Sequence, residues 1–244
     1  FDEAGVKPED IKSLDDITKL PFTTKQDMRD NYPYGLFAVP LSDCIEIHMS
    51  SGTTGVATVS GYTQNDIDAW SDCFARGIGY AGGDENDVLH VCYGYGLFTG
   101  GLGAHYGGLK AQCTTIPMSA GNTPRQINVL RNLGSSIIAC TPSYAMHIAD
   151  TAIEMGLDPK KDFNIKAGIH GAEAFSDTFR ANLEAKLDYK VYDVYGLTEI
   201  MGPGVAMECE CQDGLHLAED HLYAEILDPV THEPVPEGEW GELV

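Results

Sequence analysis

Between His48 and Thr63 the chain reads HMSSGTTGVATVSGYT. Ser50, Ser51, Thr53 and Thr54 offer hydroxyl donors, and Gly52 and Gly55 let backbone amides approach an anion with no Cβ in the way. Together these residue types can hold a polyphosphate. The G-x-x-x-x-G-K-[ST] spacing of a Walker A loop is absent, and a polar hairpin tip between two strands is the plainer alternative. A second constellation lies further on. In MECECQDGLHLAEDHLY, Cys209, Cys211, His216 and His221 are spaced C-x-C-x4-H-x4-H. Two thiolates and two imidazoles match the preferences of structural Zn²⁺, and the short spacing could close a tetrahedron within one hairpin. Glu219 and Asp220 could support such a site. The spacing is not that of a standard zinc finger, so a thiol pair and surface histidines in a polar loop stand as the alternative.

Strand-like and helix-like segments alternate around these groups. CIEIHMS places Ile45, Ile47 and Met49 on one face and predicts a strand running into the hydroxyl-rich loop. Thr63 and Asp66 form a capping-box pattern, after which Ile67, Trp70, Phe74 and Ile78 recur at helical spacing until Gly82–Gly83. DVLHVCY predicts a strand, the glycine-rich stretch 94–108 leads into a helix, and QCTTIP predicts the next strand. TPRQINVLRNLG reads as a helix with Thr123 as N-cap, Pro124 in the first turn and Gly134 at its stop. SIIAC, KAGIHG and KVYDVYG predict further strands, separated by helices over TPSYAMHIADTAIEMG and SDTFRANLEAKL. The alternation predicts an α/β fold whose mainly parallel sheet is flanked by helices on both faces. Residues 1–40 read as a turn-rich helical lead-in with short pieces opening on Ser or Thr caps. After Gly202 the pattern changes to β-hairpin material, a β-rich stretch over 204–244. The closing GELV is strand-like, which predicts that the chain is part of a longer protein.

Composition narrows the function classes. Fifteen basic and 37 acidic residues give a formal charge of -22, which repels nucleic acid and anionic lipid. That balance does not oppose a local backbone site for ATP. No apolar run reaches membrane-spanning length, and FDEAGVKPED is not a signal peptide. Seven cysteines, an odd number scattered through runs such as VLHVCY and SIIAC, suit reduced core thiols in a cytoplasmic protein.

SSGTTG at 50–55, GAE at 171–173 and YGLTE at 195–199 stand in an order that resembles the signature set of the AMP-forming acyl-adenylating superfamily. Longer segments, among them PFTTKQDMRDNYPYGLFAVP, GYGLFTGGLGAHYGG and DVYGLTEIMGPGVAMECE, are similar to its aryl-CoA ligase branch, the phenylacetate–CoA ligases. The resemblance runs from Phe1 to Val244. It implies a two-step reaction in which a carboxylate attacks the α-phosphorus of ATP, giving an acyl-adenylate and pyrophosphate, and the thiol of CoA then displaces AMP. An aromatic carboxylate, ATP and CoA are the implied small-molecule partners, with Mg²⁺ as cofactor and a homodimer as the expected assembly.

The resemblance also implies roles for residues. Ser50, Ser51, Gly52, Thr53, Thr54 and Gly55 would cradle the β- and γ-phosphates. Glu199 would hold Mg²⁺, and Thr198 would hydrogen-bond a phosphate; these two are the implied catalytic residues. Tyr195, followed by Gly196, would lie against the adenine. Gly171, Ala172 and Glu173 would line the adenine and acyl pocket, with Asp193 nearby. Tyr93, Tyr95, Phe98, Gly100 and Gly101 would border the aryl group, where flat rings and absent side chains suit an aromatic slot. Core packing is the plainer reading of Tyr95 and Phe98.

The chain departs from the family pattern at one telling place. Where the family loop continues GTTGKPT, this chain has Val56 and Ala57, so the lysine's point charge on the terminal phosphates is missing. By the same resemblance, a ribose-gripping aspartate and a C-terminal lid domain with a catalytic lysine are expected beyond GELV. Residues 1–244 would then be a truncated adenylating N-terminal domain, not fully active alone. Two alternatives share these residues: an adenylating enzyme with a carrier-protein or other acceptor, and a nucleotide- or zinc-binding module that has lost catalysis.

Overall fold

Seven strands form the central sheet of an α/β fold, four helix-linked crossovers joining its parallel strands. The computed structural model describes residues 5–50 and 57–244. The lead-in contains a 3-10 helix, Leu14–Lys19, and a short helix α1 (Lys25–Asp30). Thr24 caps α1: its hydroxyl accepts from the Asp27 N–H, and the Asp27 carboxylate accepts from the Thr24 N–H. Strands β1 (Glu46–Met49) and β2 (Val59–Tyr62) then pair antiparallel as a separate ribbon, with the hydroxyl-rich loop between them. Of that loop, Ser51, Gly52, Thr53, Thr54, Gly55 and Val56 lie outside the described residues.

Helix α2 (Gln64–Tyr80), capped by Thr63 and Asp66, leads to β3 (Val88–Val91), α3 (Thr99–Lys110) and β4 (Thr114–Pro117). Next come α4 (Thr123–Asn132), β5 (Ile137–Cys140), α5 (Pro142–Glu154) and α6 (Pro159–Asp162). Then follow β6 (Ala167–Gly171), α7 (Asp177–Leu187), β7 (Lys190–Tyr195), β8 (Ala206–Met207) and β9 (His216–Leu217). Across the sheet, in the order β4-β3-β5-β6-β7-β8-β9, pairing is parallel from β4 through β7 and antiparallel at β8 and β9, so the change of grammar after Gly202 marks the sheet's antiparallel edge. Strands β10 (Ile226–Leu227) and β11 (Glu242–Leu243) make a second ribbon.

Strand β5 is buried throughout, and its alternation divides the core. Ile137 and Ala139 pack with Phe74, Ile78 and Ala104 of α2 and α3 on one face. Ile138 and Cys140 pack with Ile127, Ile148 and Leu183 of α4, α5 and α7 on the other. Two local expectations shift. The cap of α4 is Asn122, whose side-chain oxygen accepts from the Arg125 N–H at 3.3 Å, and Thr123 is the first helical residue. Helix α3 also takes up most of the glycines that were expected to precede it. Each glycine costs about 1 kcal/mol against alanine in a helix, but here they let α3 lie against α2. A Cβ at Gly103 would sit 2.4 Å from the Trp70 ring, and one at Gly107 2.6 Å from Phe74.

Candidate active site

Strand β4 lies on one side of β3 and β5 on the other, so the winding reverses at β3. Open α/β sheets bind ligands outside the carboxyl ends of their strands at such a reversal. A cavity of about 460 Å³ lies at this edge of the sheet, between Tyr93 and Gly94 just beyond β3 and Gly171 and Val194 of β6 and β7. Ser50 enters it from β1, Lys25 from α1, and Thr198 and Glu199 from the turn after β7.

Glu199 is tied to both neighbouring segments. Its Oε1 accepts from the Thr58 hydroxyl at 2.7 Å and lies 3.3 Å from the Lys25 ammonium. Burial works to raise the carboxyl, but the Thr58 hydroxyl, its own backbone N–H and Lys25 outweigh it and hold Glu199 below the ordinary glutamate value. The turn that carries it is fixed through its carbonyls. Ser60 Oγ donates to Thr198 O at 2.9 Å, Tyr62 OH to Met201 O at 3.1 Å and Trp70 Nε1 to Pro203 O at 2.8 Å. Thr58 reaches the loop as well, since its N–H donates to Ser50 Oγ at 3.0 Å.

The opposite wall is aromatic and glycine-rich. Tyr93, partly buried, donates from its hydroxyl to Cys140 O at 2.8 Å and accepts from the Gly171 N–H at 3.0 Å. Burial pushes that phenol well above its ordinary value, so it stays neutral. With Gly94 it forms a partition, because both also line a second hollow of about 400 Å³ containing Ser143, Tyr144 and His147. At Gly171 a Cβ would lie 2.2 Å from Val194 O, so glycine is required there. Ala172, next along, has φ +67°, a left-handed conformation uncommon outside glycine and found at binding sites.

The cavity thus brings together Ser50, Gly171, Ala172, Gly196, Thr198, Glu199, Tyr93, Phe98, Gly100 and Gly101 from the sequence expectations. Four others fall outside its lining. Tyr195, one residue past Val194 and therefore on the other face of β7, lines a neighbouring hollow of about 590 Å³ with Phe22 and Leu197. Tyr95 packs against the core, its hydroxyl 3.2 Å from His105 Nδ1. Glu173 is exposed and accepts from the Ser143 N–H at 3.3 Å. Asp193, raised by burial and then by Glu208, does not line the cavity, and its backbone N–H donates to Glu208 Oε2 at 2.7 Å. Sequence reading missed Lys25 and Thr58. Lys25 did leave a signal: a cation as the first residue of a helix opposes the helix dipole and calls for an anionic partner.

The zinc expectation is corrected by the local geometry. Cys209, partly buried after β8, is held below the ordinary thiol value by the Cys211 N–H and then by His216. His216 tilts against Tyr80, with ring centroids 5.3 Å apart. His221 is turned to Asp220 at 3.4 Å, and Asp220 accepts from Arg76 at 3.0 Å. Among the described residues no group of three or more His, Cys, Asp or Glu is arranged to hold a metal ion. Chain spacing could not foresee this, because the turn beyond β9 commits His221 to the α2 side. Also among the described residues, no helix is long and apolar enough to cross a membrane.

Comparison with known proteins gives a consistent picture. The family model described as AMP-binding enzyme matches residues 8–244. Over its whole length the chain is 54% identical to a phenylacetate-coenzyme A ligase of Pseudomonas putida and 49% identical to one of Escherichia coli strain K12. It spans 56% of the length of each. Among solved structures it is similar to 2-hydroxyisobutyryl-CoA ligase in complex with 2-HIB-AMP and CoA in the thioesterification state. That match has a TM-score of 0.92 and 29% identity, covering 100% of this chain and 53% of that one. ATP-bound MatB from Rhodopseudomonas palustris, at 18% identity, TM-score 0.63 and coverage of 84% and 40%, shares the fold.

Proposed function

The chain belongs to the AMP-binding enzyme family, and from that premise we propose that it is the adenylating part of an acid–thiol ligase for an aromatic carboxylate, phenylacetate or a close relative. The observation that carries this reading is the cavity itself. An ionised carboxylate, a lysine and a serine of the hydroxyl-rich loop face an aromatic and glycine-lined wall across one cavity. The names of the relatives, phenylacetate-coenzyme A ligases, supply the acid and the acceptor.

In the first step an oxygen of the substrate carboxylate attacks the α-phosphorus of ATP, and the α–β bridging oxygen leaves with pyrophosphate. Such chemistry asks the protein for alignment and charge neutralisation. Ser50 and the rest of 50–55 hold the terminal phosphates, joined by Lys25, whose charge stands in for the lysine absent at Val56. Thr198 donates to a phosphate oxygen. Glu199 is a hard oxygen donor kept ionised and fits Mg²⁺, which uses one or two carboxylates together with substrate phosphates rather than a three-ligand protein cluster. Bound there, Mg²⁺ would offset phosphate charge. Gly171, Ala172 and Gly196 leave space for the adenine edge, with Tyr195, Glu173 and Asp193 at its margins. The aryl ring lies against Tyr93, Phe98, Gly100 and Gly101, and Tyr95, held to His105 of α3, stands outside that wall. In the second step the sulfur of CoA attacks the acyl carbonyl and AMP leaves. That transfer is assigned to the whole protein, in which 1–244 serves as the adenylating domain, 1–40 as its lead-in and 204–244 as its β-rich portion.

Aryl-acid-dependent exchange of labelled pyrophosphate into ATP tests the reading. Exchange with phenylacetate by the whole protein, abolished by Glu199→Ala, is expected. ATP binding with no exchange for any of a panel of aryl acids would overturn it and favour a binding module.

A further inference from the structure

One histidine beside the site is assigned no part in binding or activation, although it is completely buried. His48, in β1, is 0% exposed. Its Nε2 lies 2.5 Å from Glu46 Oε1 and its Nδ1 3.0 Å from the Leu97 carbonyl. A carbonyl can only accept, so Nδ1 is the donor to Leu97, while Nε2 faces the Glu46 carboxylate. Glu46 Oε2 accepts from the Tyr106 hydroxyl at 2.6 Å. Tyr62 and Trp70 meet the imidazole edge-on, at centroid distances of 5.3 and 5.7 Å.

What this ring holds is a junction between the two halves of the cavity. The Leu97 carbonyl accepts a second bond, from the Met49 N–H at 2.8 Å, so consecutive residues of β1 both donate to it. Met49 is followed by Ser50 on the phosphate side. Leu97 is followed by Phe98, the N-cap of α3, and then by Thr99, Gly100 and Gly101 of the acyl wall. Thr99 and Gly101 are buried at the start of α3, but Leu97 and Phe98 are each 56% exposed, so packing does little to fix the turn that leads into the helix. Its placement depends on the backbone bonds.

We propose that His48 is a positioning residue that registers the acyl-side turn, Leu97 and Phe98 at the entry to α3, on the nucleotide-side strand through its Nδ1 bond to the Leu97 carbonyl, with Glu46 and Tyr106 steadying the ring. This rests on reading the cavity as the site of acid activation. Losing the bond loosens the acyl wall while Ser50, Lys25 and Glu199 keep their own anchors, so binding of the acid suffers more than binding of ATP.

Two substitutions at His48 separate the bonds. In His48→Asn the amide nitrogen falls near the Nδ1 position and can still donate to Leu97; in His48→Gln the amide reaches toward Glu46 and the Leu97 bond is lost. The whole protein is assayed for acid-dependent pyrophosphate exchange with phenylacetate and ATP varied in turn. His48→Gln is expected to raise the KM for the acid about tenfold with the KM for ATP within about twofold, and His48→Asn to restore most of the loss. An unchanged acid KM in His48→Gln, or equal losses for acid and ATP in both variants, would overturn the proposal. If His48→Gln does not fold, Tyr106→Phe carries the test, with a severalfold rise in acid KM expected and no rise counting against it. Amide hydrogen exchange over 94–101 is read in parallel and should be faster in His48→Gln than in His48→Asn or wild type. Should wild type show no acid-dependent exchange, the functional reading fails, and equal amide exchange in all three proteins would then separately sink the role of His48.

Discussion

Replacing Lys25 by methionine separates phosphate recognition from stability. Lys25 is 50% exposed and pairs with Glu199 at 3.3 Å. Partly exposed pairs of this kind contribute about 0–1 kcal/mol. The lysine also opposes the dipole of the helix it opens, at a cost of about 0.3–1 kcal/mol. These terms largely cancel, so the unfolding midpoint of Lys25→Met should barely move. Loss of a charge-assisted hydrogen bond to a phosphate costs about 1.5–3 kcal/mol, or about 10- to 150-fold in affinity. The effect should be large because the loop supplies no cation at Val56. Calorimetric titration of the whole protein with ATP, pyrophosphate and AMP reads it directly. Affinity for ATP and pyrophosphate should fall by that factor, AMP should bind nearly as before, and Lys25→Arg should recover part of the loss. Equal weakening of AMP and ATP would show that Lys25 only shapes the cavity. Undiminished ATP binding would refute the assignment outright.

Three further outcomes concern the scaffold. Arg180 forms a two-pronged pair with Glu208 at 2.7 Å, with side chains 15% and 6% exposed, and Glu208 also accepts from the Asp193 N–H; Arg180→Met should destabilise by about 3–5 kcal/mol in urea unfolding, and a loss under about 1 kcal/mol would show that the pair relaxes into water. Gly107→Ala should lower the melting temperature, because a Cβ 2.6 Å from Phe74 costs about 1–3 kcal/mol of overpacking against about 1 kcal/mol of helix propensity gained. Asp87 is pushed up by burial, but Lys166 at 2.8 Å, the Ser136 hydroxyl and the Asp84 N–H hold it below its ordinary 3.8. Its stabilisation is therefore complete above that value and is lost as pH falls through the lower folded value. The stability gap between wild type and Asp87→Asn, about 1–3 kcal/mol near neutrality, should close on acidification, and a gap independent of pH would count against the ion pair as its source.

By itself the sequence determined the order and kind of the elements, because strand alternation, Thr and Ser caps and glycine stops act over a few residues. Thr63 with Asp66, Thr141 before α5 and the apolar runs of β5 and β6 are local statements that folding does not revise. The order of motifs also made Ser50, Gly171, Thr198 and Glu199 legible as candidates. Only the tertiary structure decided which groups meet. Thr58 reaches Glu199 across 141 residues, His48 reaches Leu97 across 49, and Lys25 arrives from a lead-in whose pattern announced little more than a short helix. The same limit explains the two places where spacing fell short. The α3 glycines have the spacing of a loop but lie against Trp70 and Phe74, and the cysteines and histidines have a spacing open to either a metal site or a polar loop, of which His221, turned to Asp220, fits the loop. Propensity and spacing measure distance along the chain, whereas ligands and close packing depend on direction in space, which is set by the sheet that brings distant segments to one edge.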